Sequence, residues 1–238
     1  QSAAVGAYEK EAFARMRELA PDLVVFTGDL LQPAPPATLE TETPMMAALL
    51  ASLTPSNGIL GVRGDVDEHC PDDPAALGGM RWINGRTLKI DTDAGTIQVL
   101  GLSKDVARTP LCHDVMANWL GQVPPGDFTL VIGHPPDFIL TMPDQPVDLC
   151  LAGHTHGGQI RLPLVGPLVI LSKVPHTLSL GFHTVGNSRL NVSAGIGCEH
   201  ASGLPAIRVY CPPEMTLIEL VPASPMAPTL AQMTERHL

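Results

Sequence analysis

Aromatic side chains are scarce: two Trp, two Tyr and five Phe in 238 residues, about 4%. A core of stacked rings is excluded, which leaves Val, Leu, Ile and Ala to fill the interior and favours buried parallel strands. Positive charge is scarce as well. Fourteen Lys and Arg stand against 24 Asp and Glu, for a net charge of −10, and the basic residues do not cluster. That excludes a counterion-releasing nucleic-acid surface and a polybasic membrane patch, although bound cations can still reverse the local field for a phosphate. No apolar run approaches the roughly 18 residues that span a bilayer, and no secretory leader opens the sequence. The five cysteines, Cys70, Cys112, Cys150, Cys198 and Cys211, are odd in number and form no CxxC pair. Reduced thiols are expected, which suits a cytoplasmic setting better than a secreted one.

What is present is enough to fold. Hydrophobic residues make up 45% of the chain, so wholesale disorder is excluded. Residues 8–20 carry helical periodicity, with Phe13, Met16 and Leu19 on one face. Leu23 to Phe26 form an apolar run of strand length ending in Thr27-Gly28-Asp29. A second helix, from Glu42 to Leu53, leads to Gly58–Val62 and then Arg63-Gly64-Asp65. A hairpin is expected around Asp93-Ala94-Gly95, and a helix over 111–120. Two more apolar strands, 128–132 and 147–151, end in Gly133-His134 and Gly153-His154-Thr155-His156. Short strands follow at 159–162, 177–184, 190–193, 207–210 and 216–221. No composition shift marks a boundary, so one domain over 1–221 is expected, with a mobile tail from 222 to 238.

Four apolar strands thus end in a residue that can ligate a metal: Asp29, Asp65, His134, and His154 with His156. Strand ends of a parallel sheet share one edge, so these groups converge. Carboxylate oxygen with imidazole nitrogen suits Mn, Fe or Zn better than Mg or Ca. Each Asp taken alone also reads as ordinary turn or cap chemistry, and His134 as a loop histidine bound to backbone. The run Gly153-His154-Thr155-His156-Gly157-Gly158 is harder to explain that way, because its glycines let backbone approach a ligand closely.

The order Gly28-Asp29, Gly64-Asp65-Val66-Asp67, Gly133-His134, Gly153-His154-Thr155-His156 resembles the calcineurin-like metallophosphoesterases over residues 8–221. PDLVVFTGDL, GHTHGGQIRLP and CPPEMTLIEL resemble a bacterial, often membrane-associated branch that includes enzymes of lipid-linked phosphates. The resemblance implies an αββα sandwich of two mixed sheets flanked by helices, with two metals. It makes Asp29 the bridging carboxylate, Asp65, His134 and His154 ligands of the second metal, and His156 a ligand of the first. The family's DxH motif, which belongs upstream of the first helix, is absent from the sequence. The resemblance therefore implies an N-terminally truncated domain, lacking an interior strand, with one metal rather than two. Valine 66 stands where the family carries a catalytic His, so no catalytic residue is assigned.

The expected function is metal-dependent hydrolysis of phosphate esters by a metal-activated hydroxide, with phosphodiesters or lipid-linked pyrophosphates favoured over monoesters because of Val66. The alternative is a non-catalytic scaffold, which Arg63-Gly64-Asp65-Val66-Asp67-Glu68 also resembles. The expected partner is a phosphate-ester substrate, with no nucleic acid, and with membrane association only through a segment upstream of residue 1. His69 is expected in an exposed turn, and His176, His183 and His200 on surfaces or strands. Cys70 and Cys198 lie near site loops without basic neighbours, and Met45 and Met46 are expected in the helix core.

Overall fold

Strands whose consecutive residues are all apolar need two dry faces, and the fold supplies them. The computed structural model describes residues 2–199, 207–222 and 233–237. Its first sheet has the order β1-β2-β3, from β1 (Val24–Phe26), β2 (Ile59–Gly61) and β3 (Arg81–Trp82), all parallel. The second is mixed and six-stranded, with the order β10-β11-β7-β6-β5-β4. It comprises β4 (Arg86–Thr92), β5 (Gly95–Gly101), β6 (Phe128–Ile132), β7 (Leu149–Ala152), β10 (Gly181–Val185) and β11 (Ser188–Val192).

Alternation along each strand sorts side chains between layers. Leu60, Val62, Val99, Leu130, Ile132 and Leu149 meet between the two sheets. Their neighbours Leu100, Val131 and Cys150 point the other way, onto α4 (Leu111–Leu120), through Cys112, Met116 and Trp119. The outer face of the first sheet, including Val24 and Ile59, packs against Phe13 of α1 (Ala7–Leu19) and Met46 and Leu50 of α2 (Leu39–Ala51). Helix, sheet, sheet, helix is the αββα sandwich expected.

Helix α2 begins earlier than its apolar periodicity suggests, because the Thr38 side chain caps it by accepting from the Thr41 amide. Met46 is buried in it while Met45 is exposed, so only one of that pair is core. Four of the five later short strands expected are present in shifted or shortened form, and 207–210 is not one of them. Arg161–Leu162 (β8) and Gly166–Pro167 (β9) form a small hairpin, 176–178 is a 3-10 turn, and 207–210 contributes a single bridge from Val209 to Ile160. A short helix α3 (Lys104–Ala107) precedes α4. Thr216–Leu220 (β12) pairs antiparallel with Met233–His237 (β13); the rest of the expected tail, 223–232 and 238, lies outside the described residues, as does His200. No helix among the described residues is long and apolar enough to cross a membrane.

Candidate metal centre

Asp29 follows β1, Asp65 follows β2, His134 follows β6, and His154 and His156 follow β7. The structure brings all five to one rim, where the carboxyl ends of both sheets meet. Two glycines make the approach close enough. A Cβ on Gly28 (φ 99°) would come within 2.5 Å of His134 Nδ1, and one on Gly64 would collide with Asp29 Oδ1.

The imidazoles are held by their outer nitrogens. His134 Nδ1 donates to the Thr27 carbonyl at 2.7 Å, which leaves Nε2 as the lone-pair atom. His154 Nε2 lies 2.6 Å from the Leu171 carbonyl and 3.1 Å from Arg108 Nη2; with the nearer carbonyl as its acceptor, Nδ1 is left as the lone-pair atom. Those two lone-pair atoms, His134 Nε2 and His154 Nδ1, face each other at 3.1 Å. Asp29 Oδ2 stands 3.3 Å from His134 Nε2, and Asp65 Oδ2 stands 3.2 Å from His154 Nδ1. Two acceptor nitrogens this close, flanked by two carboxylates, fit a shared cation. Ligand atoms of Asp29, His134 and His154 all lie within 4.8 Å of one another. Asp65 is more exposed and closes the group from the solvent side.

A second group shares Asp29. Its ligand atoms come from Asp29, His156 and Glu199, again within 4.8 Å. His156 is buried, and its Nδ1 has no hydrogen-bond partner among the described residues. An orphaned buried nitrogen is costly unless something binds it, and a cation between His156 and the two carboxylates would. Burial holds the His156 ring neutral, with its pKa down at about 3, the form a ligand needs. The sequence pattern supplied Asp29 and His156 for this group; Glu199 was missed, because no motif marks it.

Electrostatics in the first group run the other way. Burial alone would raise the Asp29 carboxyl, but the hydrogen bond and charge of His134, with the Val66 amide, hold it down at about 2. Burial would likewise favour neutral His134, yet Asp29 and Asp65 lift its pKa to about 9. That proton sits on Nε2, between the two carboxylates, where a bound cation would displace it to reach the lone pair. Asp65 is held far below the carboxylate range by His134 and His154, with Arg108 adding to them. Arg108 grips Asp65 with both terminal nitrogens, at 3.2 and 2.9 Å. This cation at the mouth of the site comes from the end of α3, and the sequence patterns gave no sign of it.

Asp67 was missed as well. Fully buried, it accepts from the amides of Asp29 (2.7 Å), Leu30 (2.8 Å) and Gly64 (2.7 Å). It ties the loop after β1 to the loop after β2 and so fixes the two aspartates relative to each other. His69 is exposed in a 3-10 turn, as expected, and takes no part. Backbone strain concentrates here too. Asp29 (φ 56°), His154 (φ 66°) and His156 (φ 48°) adopt the left-handed conformation that side chains disfavour. Such residues cost on the order of 1–3 kcal/mol each and persist only where the surroundings over-determine them.

The family model for calcineurin-like phosphoesterase matches residues 8–158, from the first helix to the end of the Gly153–Gly158 loop. The chain is 29% identical over 219 residues to the uncharacterized metallophosphoesterase YkuE of Bacillus subtilis (strain 168), covering 89% of this chain and 72% of that protein. It is 37% identical over 110 residues to phosphodiesterase YaeI of Escherichia coli (strain K12), covering 43% and 38% respectively. Similarity to the uncharacterized metallophosphoesterase YkoQ of Bacillus subtilis (strain 168) is 26% over 211 residues, covering 84% and 72%. The chain belongs to the calcineurin-like phosphoesterases, metal-dependent hydrolases of phosphoesters.

Proposed function

We propose that this calcineurin-like phosphoesterase hydrolyses phosphodiesters, using a divalent cation held by Asp29, Asp65, His134 and His154. Asp29 would be shared with a second site at His156 and Glu199. The observation that carries this reading is the pair of opposed imidazole nitrogens, 3.1 Å apart, between two carboxylates. The mixed oxygen and nitrogen donors favour Mn, Fe or Zn. When bound, such cations neutralise phosphoryl oxygens and acidify a water so that hydroxide is available near neutral pH.

The chain's own residues do the rest. Thr27 and Leu171 orient the two imidazoles through their carbonyls. Arg108 holds Asp65 with both terminal nitrogens, and its charge and remaining N–H groups at the mouth of the site would hold the substrate anion. Val66 uses its amide to position Asp29 and has no side-chain proton to give. A leaving group must therefore depart without help from that position, which favours an ester whose leaving oxygen is already a weak base. A phosphodiesterase is among the similar proteins, which supports the same choice. A lipid-linked pyrophosphate is the second reading, favoured by the exposed apolar hairpin at β8 and β9 beside the site.

The test is hydrolysis of bis-p-nitrophenyl phosphate against p-nitrophenyl phosphate by Mn-loaded protein, with metal content measured on the wild type and on His154→Ala. Diester turnover above monoester turnover, with metal lost in the variant, is expected. Folded protein that takes up no metal would overturn the enzyme reading in favour of a scaffold. Faster monoester turnover would overturn the diester preference.

A further inference from the structure

Beside the site, the chain leaves apolar surface uncovered in one place far more than elsewhere. Fourteen large hydrophobic side chains are exposed among the described residues, and six of them fall between Leu162 and Leu171. Leu164, at the tip of the β8–β9 hairpin, is fully exposed, and Val165, Leu168, Val169 and Leu171 are each at least half exposed. The hairpin is built rather than loose. Arg161 and Leu162 pair with Pro167 and Gly166, and the Leu168 amide donates to the Ile160 carbonyl at 3.1 Å. Its root joins the segment that exposes Tyr210, through Arg161 N to Val209 O at 2.9 Å.

The hairpin is also tied to the metal centre at both ends. Before it, Gly158 lies against Pro167, where no Cβ could fit; after it, the Leu171 carbonyl holds His154. Charge separates the same stretch from the rest of the chain. Residues 149–198 contain no Asp or Glu, although the chain has 24, and they carry Arg161, Lys173 and Arg189. Arg161 and Lys173 flank the apolar segment directly. Carboxylates meet this stretch at its base, where Asp137 accepts from Ser172 Oγ and the Lys173 amide and Glu199 joins Gln159 through its backbone, while residues 160–171 themselves carry none. An apolar, aromatic-edged protrusion with Arg161 and Lys173 at its base matches the interface of an anionic bilayer, with acyl chains beyond a layer of phosphates.

We infer that the β8–β9 hairpin inserts into the interface of an anionic lipid bilayer and seats the metal centre at headgroup depth. This surface lies within the chain itself and needs no upstream segment. Sedimentation with vesicles of phosphatidylcholine, with and without phosphatidylglycerol, tests it on the full chain at low and high salt. Binding to the anionic vesicles, weakened by salt, is expected. The double variant Leu164→Asp/Val169→Asp should bind about tenfold or more weakly, the loss expected when 1.4 kcal/mol or more of interfacial transfer is removed. Both side chains are exposed, so the variant should keep the wild-type circular dichroism and its turnover of a soluble diester. Leu164→Trp should shift its emission to the blue on anionic vesicles. Absence of vesicle binding, equal binding by the double variant, or equal binding to neutral vesicles would overturn the inference. So would a wild-type dimer that the double variant dissolves, since the occupant would then be a second copy of the chain. Soluble diester turnover is read in parallel, so failure of the phosphodiesterase reading shows up separately.

Discussion

At the scale of single residues, the site depends on groups that carry no chemistry of their own. Asp67→Asn replaces an acceptor oxygen with a donor facing amide N–H groups. Loss of a charge-assisted hydrogen bond costs roughly 1.5–3 kcal/mol, and mispositioned ligands typically lower activity or metal affinity by about 10- to 100-fold. Urea denaturation and metal titration of Asp67→Asn should show both effects; full stability with unchanged affinity would remove Asp67 from the positioning of Asp29. Arg108→Ala should leave metal content intact and raise KM for a diester by about tenfold or more, the value of one charged hydrogen bond to the substrate. Arg108→Lys should recover part of that loss, since it keeps the charge but not the two-pronged geometry. Unchanged KM in the alanine variant would limit Arg108 to its pairing with Asp65.

At the scale of elements, stability and site geometry share the same strands. Leu130 and Val131 are adjacent and both buried, but Leu130 sits between the sheets and Val131 beneath α4. Leu130→Ala should cost about 2–5 kcal/mol in denaturant unfolding, the usual range for a large buried side chain cut to alanine. A loss below about 1 kcal/mol would mean the inter-sheet layer is less tightly packed than its burial indicates. The strands and α4 were legible because an apolar run between turn residues has few other uses, and β6 and α4 fall where the sequence puts them. Four of the five ligand candidates were legible because each follows Gly at a strand end, and His156 because it stands two residues after His154 in the same glycine-flanked loop. Asp67, Arg108 and Glu199 were not. Asp67 works through amides 37 and 38 residues away, and Arg108 through a carboxylate 43 away. Such partnerships exist only after the sheets have stacked. Of the hairpin at β8 and β9, the sequence marks only the strand at 159–162; the turn and β9 carry no alternating pattern, and apolar residues there resemble core until burial is known.

At the scale of the whole molecule, the candidate centre joins the two sheets. Asp29 and Asp65 belong to one and His134 and His154 to the other, so a cation bound among them braces the sandwich across its middle. A metal present at about 100 times its Kd would add roughly 2.7 kcal/mol to stability. For a domain of this size each kcal/mol moves Tm by about 2–4 °C, so chelation should lower it by about 5–10 °C. Calorimetry with and without chelator checks this, and an unchanged Tm in protein shown to carry metal would deny the centre a bracing role. The uneven placement of carboxylates has one more effect. With a run of fifty residues free of them in a molecule of net charge −10, the protein carries an electric dipole moment. The field near a negatively charged boundary exerts a torque on such a body even where the net force is repulsive. The molecule would be turned before it touches, so that orientation precedes contact, and added salt would randomise its angle of arrival as well as slow its capture.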